Sequence, residues 1–264
     1  MRRTLPLIAL ALAVSACAST PSVDELARHR IVLLGEVHDN AAGHQQRYAL
    51  LKARVDAGWR PVIAMEQFDR ERQPDLDAAL ARCANAQCVI QAAAPDKSGW
   101  QWPLYENVIN LALAHRLRIV AANVSRADAR AVITKGYEGA FDAATVARFG
   151  LDSPLPEDID RAQRDAVDVG HCGKLPAAML PGMARAQVAR DVGMAQVVMD
   201  HSEGVVLLAG NGHVRKDIGV PRWIKAPPGT VWSMGFVEAP PAAGTYDDYL
   251  TLPAQSRDDP CAGL

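Results

Sequence analysis

The chain lacks any strong bias of charge, which excludes one broad class of partner. Its 28 Lys and Arg residues nearly balance its 30 Asp and Glu residues, so the formal net charge is −2. No run or stripe of basic residues is present. Because nucleic-acid binding depends on such a positive surface, we expect no nucleic-acid partner.

Long apolar runs, internal repeats and Cys-x-x-Cys pairs are also missing. Beyond the N-terminus no stretch is long enough to span a bilayer, and no fixed period indicates a repeat fold. The cysteine spacing does not fit a structural zinc centre. The chain instead has 49% hydrophobic residues. This is enough for the core of one large domain, or of a main domain with an insertion.

The N-terminus has the pattern of an export signal. Arg2 and Arg3 precede an apolar stretch that is too short for a membrane span, and small residues then lead to Cys17. Residues 14–17 resemble the processing box of bacterial lipoproteins, in which the cysteine is lipidated. We therefore predict a signal peptide over residues 1–16 and lipidation of Cys17. The alternative is a cytoplasmic protein with a fortuitous apolar start.

The lipid anchor predicts where the protein works. Acyl chains supply the membrane affinity, so the remainder of the chain can be an ordinary globular domain. In lipoproteins of this type, an alanine after the cysteine, as at Ala18, usually goes with transfer to the outer membrane. We expect a protein that is lipid-anchored in the outer membrane and faces the periplasm or the cell surface.

Four cysteines remain after Cys17, an even number in a compartment that permits disulfides. Of the three pairings that four cysteines allow, we predict Cys83 with Cys88, which are close in sequence, and then Cys172 with Cys261. Free buried thiols are the alternative.

Strand-like apolar runs alternate with helical stretches along the chain. This alternation predicts the α/β class, with a mostly parallel sheet flanked by helices on both faces. The predicted strands are 31–34, 61–65, 118–122, 205–209 and 231–237, and the predicted helices include 43–56, 104–115 and 184–200.

Residues 128–182 break this rhythm with helical pieces separated by Gly and Pro. We predict a smaller helical insert there, placed over one edge of the sheet. The α/β domain then comprises residues 17–127 and 183–245. Residues 246–264 are polar and contain Pro, so we predict a C-terminal surface tail that is tied back through Cys261.

Two strand-like runs end in the same four-residue pattern, a glycine three residues before a histidine. They are Gly35-Glu36-Val37-His38 and Gly210-Asn211-Gly212-His213. A glycine lets the backbone turn sharply where a buried strand emerges. Ligands of open α/β sheets bind at this carboxyl edge. We therefore expect the two segments to lie side by side and to share a site.

Four polar residues follow strand runs and form the candidate site: Glu36, His38, Glu66 and His213. Two imidazoles and two carboxylates are suited to a divalent metal ion or to acid–base catalysis. Asn123 adds an amide at the same edge. The alternative is a buried polar network in which each group satisfies another and holds the loops still.

The ordered motifs together resemble the ChaN family of haem-binding lipoproteins, over nearly the whole mature chain. The resemblance implies an α/β domain with a smaller helical domain, haem bound partly between protomers, and a role in haem or iron uptake at the outer membrane. It also implies the wider Tiki and erythromycin-esterase superfamily, some of whose members are metal-dependent hydrolases. The motifs are Leu34 to Asn40 with His44, Met65-Glu66-Gln67, Gly99-Trp100, Ala122-Asn123 with Arg126, His171-Cys172-Gly173, Ala186-Gln187 with Arg190-Asp191 and Met194-Ala195, and Gly210 to Pro221.

The resemblance implies that a tyrosine of the insert binds the haem iron. Tyr137 is the only tyrosine between residues 128 and 182, and ferric iron favours a phenolate oxygen. The alternative for Tyr137 is a loop aromatic packed beside Phe141. His171 begins a family-like motif and is expected to meet a haem propionate or the iron of a facing protomer, or alternatively to cap a helix end.

The resulting prediction is a haem-binding protein, with Tyr137 as iron ligand and His171 as its partner across a haem-dependent homodimer. Met179 and Met183 either line a haem face or belong to the core. No Cys-x-x-Cys-His motif is present, so covalent attachment is not expected. The competing hypothesis is a metal-dependent hydrolase in which a divalent ion is held at the candidate site, or a relic of such an enzyme; we favour binding over catalysis.

Overall fold

The structure is a computed structural model that describes residues 23–96, 99–258 and 261–262. The predicted signal peptide and Cys17 lie outside the described residues. Within that part of the chain, no helix is both long and apolar enough to cross a membrane.

The described residues form a six-stranded sheet in which every strand pairing is parallel. The spatial order is β3-β2-β4-β1-β5-β6. This confirms the α/β class and the predicted parallel sheet, in which all pairings of the described strands are parallel. The strands are β1 Ile31–Leu34, β2 Val62–Asp69, β3 Ile119–Asn123, β4 Val205–Leu208, β5 Val231–Val237 and β6 Asp248–Thr251.

β1 and β4 are hydrogen-bonded neighbours, with Leu34 opposite Leu208 at their carboxyl ends. The two Gly-containing segments that follow these strands therefore leave the sheet side by side, as predicted. Both strands are completely buried. Short, uniformly apolar strands of this kind are typical of a parallel sheet that is covered on both faces.

Helices cover both faces of the sheet, and each face has its own apolar core. Val32 and Leu34 face the core that contains α1 to α5, while Ile31 and Leu33 face the core built with α6 to α9. This alternation follows from the two-residue period of a strand. The helices are α1 Val23–Arg28, α2 Ala41–Asp56, α3 Gln73–Arg82, α4 Ala86–Ala93, α5 Glu106–His115, α6 Arg126–Lys135, α7 Ala143–Phe149, α8 Glu157–Gly170 and α9 Leu180–Asp200.

Residues 128–182 are mostly helical, and α6 and α8 pack on α9, which contacts strands β2, β3 and β4 of the sheet. Val146, Phe149 and Ile159 share one core with Val120 of β3 and Val188 of α9. The insert is thus continuous with the second face of the sheet, and α9 carries the chain from the insert back toward β4.

The C-terminal segment differs from the prediction of a surface tail. Residues 248–251 form the edge strand β6, which pairs with β5 from Met234–Asp248 to Val237–Thr251. The strand is short and its residues alternate between half-buried and exposed, so it has no apolar run by which the sequence would reveal it.

Both predicted disulfides are confirmed. Cys83 is bonded to Cys88, and Cys172 at the end of α8 is bonded to Cys261. The second bond ties the end of the chain to the insert across 89 residues of sequence.

Candidate functional site

The segments after the first four strands surround a cavity of about 840 Å³ at the carboxyl edge of the sheet. We call it the strand-end cavity. It brings together all four residues of the predicted site, Glu36, His38, Glu66 and His213, and Asn123 as well.

Glu36 is buried and is hydrogen-bonded or ion-paired to several protein side chains. Its Oε1 accepts hydrogen bonds from the Tyr105 hydroxyl at 2.6 Å and from His38 Nδ1 at 2.8 Å. Its Oε2 is ion-paired with Arg47, and both side chains are only 1% exposed. Burial by itself would raise the pKa of Glu36, but the Arg47 charge and the His38 hydrogen bond outweigh it and lower the pKa to about 2. Glu36 is therefore a permanent anion.

His38 is oriented by this anion and is half exposed. Because Nδ1 donates to Glu36, Nε2 is the ring nitrogen left for another group. Burial would lower the His38 pKa, but the Glu36 hydrogen bond and the Glu66 charge raise it. A Cβ on Gly210 would lie 2.9 Å from His38 Nε2, so the ring can occupy this place only because residue 210 is glycine.

His213 lies between two carboxylates. Its Nδ1 is 2.6 Å from Asp191 Oδ1, and its Nε2 is 3.5 Å from Glu66 Oε1. Glu66 Oε2 also accepts a hydrogen bond from the Gly210 backbone N–H at 2.7 Å. Burial would lower the His213 pKa, but the Glu66 and Asp191 charges raise it. The imidazolium form of His213 is thereby favoured.

A smaller cleft of about 220 Å³ lies beside the strand-end cavity and is bordered by α8. We call it the insert cleft. Gln163 of α8 donates to both Asp191 Oδ2 and the Ile218 carbonyl, each at 3.0 Å. His171 and His213 both line this cleft. The insert thus reaches the predicted site through one buried hydrogen-bonded chain, Gln163–Asp191–His213.

Sequence reasoning gave no role to three residues that hold the site together, namely Arg47, Tyr105 and Asp191. Each is at most 1% exposed and lies within a helix or directly before one. The sequence does contain one sign of such a buried residue, namely a charged side chain on an otherwise apolar helix face. Asp191 has this position beside Val188, Val192 and Ala195.

The four predicted residues lie in a network of protein charges. Arg47 is ion-paired with Glu36, and His213 lies between Glu66 and Asp191. Among the described residues, no group of three or more His, Cys, Asp or Glu side chains is arranged to hold a metal ion. Binding of a divalent ion by Glu36, His38, Glu66 and His213 stays a prediction.

Tyr137 lies inside the insert instead of on an open surface. Its residue is 8% exposed, and it packs in the second core together with Phe141. The hydroxyl has no hydrogen-bond partner among the described residues. Burial raises the pKa of this phenol. Iron ligation by Tyr137 stays a prediction, and it requires the side chain to turn outward.

His171 caps the C-terminal end of α8, as the alternative interpretation of the sequence has it. Its Nδ1 lies 2.7 Å from the Val167 carbonyl, so the neutral ring carries its proton there and Nε2 has a free lone pair. Val169 and Met179, on the same segment, are 79% and 47% exposed. They are two of the three large hydrophobic side chains exposed in the described part of the chain. These residues fit a haem with an axial imidazole and an apolar face.

The fold and the cavity define a parallel α/β protein with a polar, histidine-bearing cavity at its strand ends and a helical insert beside it. The model of the family described as haem-binding uptake, Tiki superfamily, ChaN matches residues 22–224. The chain therefore belongs to the ChaN family, which confirms the resemblance in the sequence. No curated protein matches the chain.

The chain is similar to several solved structures, and the first one given below has the same fold. ChaN of Campylobacter jejuni, described as binding haem cofacially, is 23% identical with a TM-score of 0.69, and the match covers 85% of this chain and 87% of that chain. The erythromycin esterase EreC is 12% identical, with a TM-score of 0.49 and coverage of 85% and 76%. A toxin effector domain from Vibrio vulnificus is 17% identical, with a TM-score of 0.47 and coverage of 87% and 37%.

Proposed function

We propose that this protein is a haem-binding lipoprotein of the outer membrane that serves haem or iron uptake, anchored through Cys17. Membership of the haem-binding uptake family supports the haem ligand. The observation that carries the proposal in this chain is the segment around His171, in which the imidazole Nε2 has no partner among the described residues and Val169 and Met179 are exposed.

We further propose that two protomers bind haem between them. Haem supplies an iron with open axial positions and a broad apolar ring system. His171 would hold the haem iron through Nε2, with the imidazole oriented by the contact of its Nδ1 with the Val167 carbonyl. Val169 and Met179 would cover one face of the ring system. A second protomer would bury the other face, because an exposed apolar surface is stabilised by burial.

The proposal is tested by titrating haemin into the purified protein and following the Soret absorbance. We expect saturable binding, a weakening of about tenfold or more in His171→Ala, and no change in the control His201→Ala. His201 follows α9 directly before β4, at the opposite edge of the sheet. Absence of saturable binding by the unaltered protein would contradict the proposal.

Tyr137 is the second candidate for the iron ligand. If Tyr137 turns outward on binding, Tyr137→Phe removes the high-spin ferric charge-transfer band, whereas ligation by His171 leaves this band unchanged in the same variant. The spectra of Tyr137→Phe and His171→Ala therefore show which of the two residues is the ligand of the haem iron. A matching loss in both variants indicates that each supplies one axial ligand.

A second candidate function is hydrolysis in the strand-end cavity. It is favoured by the surroundings of His38 and His213. The pKa of each imidazole is raised, and the Nδ1 atom of each contacts a buried carboxylate, as in acid–base catalysis. We expect any hydrolysis of p-nitrophenyl esters to be lost in His38→Ala and kept in His171→Ala. Adding Mn, Co or Zn to chelator-treated protein would distinguish a metal-dependent reaction from one that uses the protein groups alone.

A further inference from the structure

Three residues that line the strand-end cavity each have a buried polar atom without a hydrogen-bond partner among the described residues. The three atoms are Gln67 Oε1, Asn123 Oδ1 and Trp102 Nε1. The three residues are 3%, 8% and 6% exposed. Because an unpaired buried polar group costs about 1–3 kcal/mol, three such atoms on one cavity indicate a polar occupant.

The neighbours of the two amides determine what this occupant must donate. Gln67 Nε2 donates to Glu36 at 3.3 Å, and Asn123 Nδ2 donates to Asp69 at 2.9 Å. Since an ionised carboxylate can only accept, each amide has its nitrogen toward the acid and its oxygen directed elsewhere. Both free oxygens are acceptors. The occupant therefore carries hydrogen-bond donors, and hydroxyl groups supply these while also accepting from Trp102 Nε1.

The cavity also holds two cations that the protein does not pair. Arg126 and Arg190 line it, and neither makes an ion pair or side-chain hydrogen bond with the described residues. The Arg190 charge opposes the rise in the pKa of both Asp69 and His213, so its guanidinium lies near both groups. Arg126 and Arg190 thus border the same space as the His38 and His213 imidazoles.

Most carboxylates of the cavity already accept hydrogen bonds or ion pairs from protein donors. They therefore do not neutralise the charges of Arg126 and Arg190. Glu36 is paired with Arg47, Glu66 accepts from Gly210 and contacts His213, and Asp69 accepts from Asn123. The other two acids, Glu71 and Asp96, are exposed at the rim. An anionic group inside the cavity therefore meets guanidinium donors that are not ion-paired with the described residues.

We propose that the strand-end cavity binds a small organic anion that carries hydroxyl groups. The anionic group pairs with Arg190 and Arg126, and the hydroxyl groups donate to the Gln67 and Asn123 amide oxygens. The cavity volume of about 840 Å³ suits a small molecule. The site is separate from the segment around His171 and does not depend on haem binding.

Calorimetric titration of the haem-free protein with four-carbon probes tests this proposal. Tartrate carries two carboxylates and two hydroxyls, succinate lacks the hydroxyls, and threitol lacks the charges. We expect tartrate to bind at least about tenfold more tightly than succinate or threitol. Glycerol 3-phosphate, a hydroxylated anion of the other common charge type, reports whether phosphate is preferred to carboxylate.

Matched variants locate the binding. Arg190→Met and Arg126→Met should each weaken tartrate binding by about tenfold or more, whereas Arg130→Met, an exposed position on α6 outside the cavity, should leave it unchanged. Circular dichroism verifies that the variants are folded. His171→Ala should lose haem affinity and keep tartrate affinity, so a failure of haem binding is distinguishable from a failure of this site.

Three results would overturn the proposal. The first is no measurable heat with either tartrate or glycerol 3-phosphate. The second is succinate or threitol binding as tightly as tartrate, which would remove the need for hydroxyls or for charge. The third is unchanged tartrate binding in both arginine variants.

Discussion

At the scale of single residues, the Glu36–Arg47 pair organises the site. It is buried on both sides, and Glu36 in turn orients His38 and accepts from Tyr105. Taking two charges out of water is costly, so such a pair contributes less to stability than its contact suggests. Removing one partner, however, leaves an uncompensated charge in the interior.

We therefore expect Arg47→Met to lower the free energy of unfolding by about 3–5 kcal/mol. The measurement is urea denaturation followed by circular dichroism. The control is Arg130→Met, the same chemical change at an exposed position, for which we expect a change within about 0.5 kcal/mol. An equally small effect of Arg47→Met would show that the pair does not stabilise the fold.

The same pair makes a prediction about acid stability. The folded-state pKa of Glu36 is about 2, below the value of 4.5 for an unperturbed glutamate. Its contribution to stability is therefore fully present above about pH 4.5 and is lost as the pH falls toward 2. In Glu36→Gln, we expect a smaller loss of unfolding free energy over this pH range than in the unaltered protein.

Urea denaturation at several pH values measures this difference, with Glu203→Gln as the control. Glu203 has a side chain that is 92% exposed, so its replacement should leave the pH dependence unchanged. Identical slopes in Glu36→Gln and the unaltered protein would contradict a depressed pKa of Glu36.

At the scale of elements, α8 and α9 connect the insert to the strand ends. Gln163 of α8 bonds Asp191 of α9, which in turn holds His213 after β4. Replacing Gln163 by leucine keeps the size of the side chain and leaves Asp191 and the Ile218 carbonyl without this donor. We expect amides of α8 to exchange hydrogen faster in Gln163→Leu, while β1 is unaffected.

Hydrogen exchange followed by mass spectrometry resolves these segments. Gln91→Leu, at an exposed position on α4, serves as the control and should leave exchange in α8 unchanged. If α8 keeps its protection in Gln163→Leu, this hydrogen-bonded chain does not couple the insert to the site.

The elements were predictable from the sequence wherever apolar periodicity was strong. The five predicted strands all form, and β1 and β4 lie together because their identical glycine patterns mark one edge. β6 was not predictable, since Asp248–Thr251 has no apolar run and pairs only at the edge of the sheet. Helix starts moved by a few residues, as at α2, where Asn40 accepts from the Gly43 N–H and sets the beginning at Ala41.

The site was predictable in part, for a physical reason. Residues near or beyond the carboxyl ends of strands reach this edge of the sheet by topology alone, and so Glu36, Glu66 and His213 were found. The structure extends β2 past the predicted end at residue 65, so Glu66 lies in the last part of this strand. Arg47 and Asp191 enter from helices that pack on the sheet, and their approach depends on how those helices are rotated. The burial of Tyr137 likewise follows from packing within the insert and not from its local sequence.

At the scale of the whole molecule, two surfaces are distinguished. The strand-end cavity is polar and is bordered by Arg126 and Arg190, whereas the segment around His171 exposes apolar side chains. The apolar segment lies on the insert, which is fixed to the C-terminus by the Cys172–Cys261 bond. This rigid and exposed position suits a contact that includes a second protomer.

Sedimentation velocity, recorded at the Soret band with and without haemin, tests the central claim most directly. The account predicts that haem-free protein sediments as a monomer, that haemin shifts it to a dimer, and that the Soret absorbance moves with the dimer. His171→Ala should remove the shift. A protein that binds haemin tightly while it remains a monomer would contradict the shared site, and a boundary free of Soret absorbance would contradict haem binding itself.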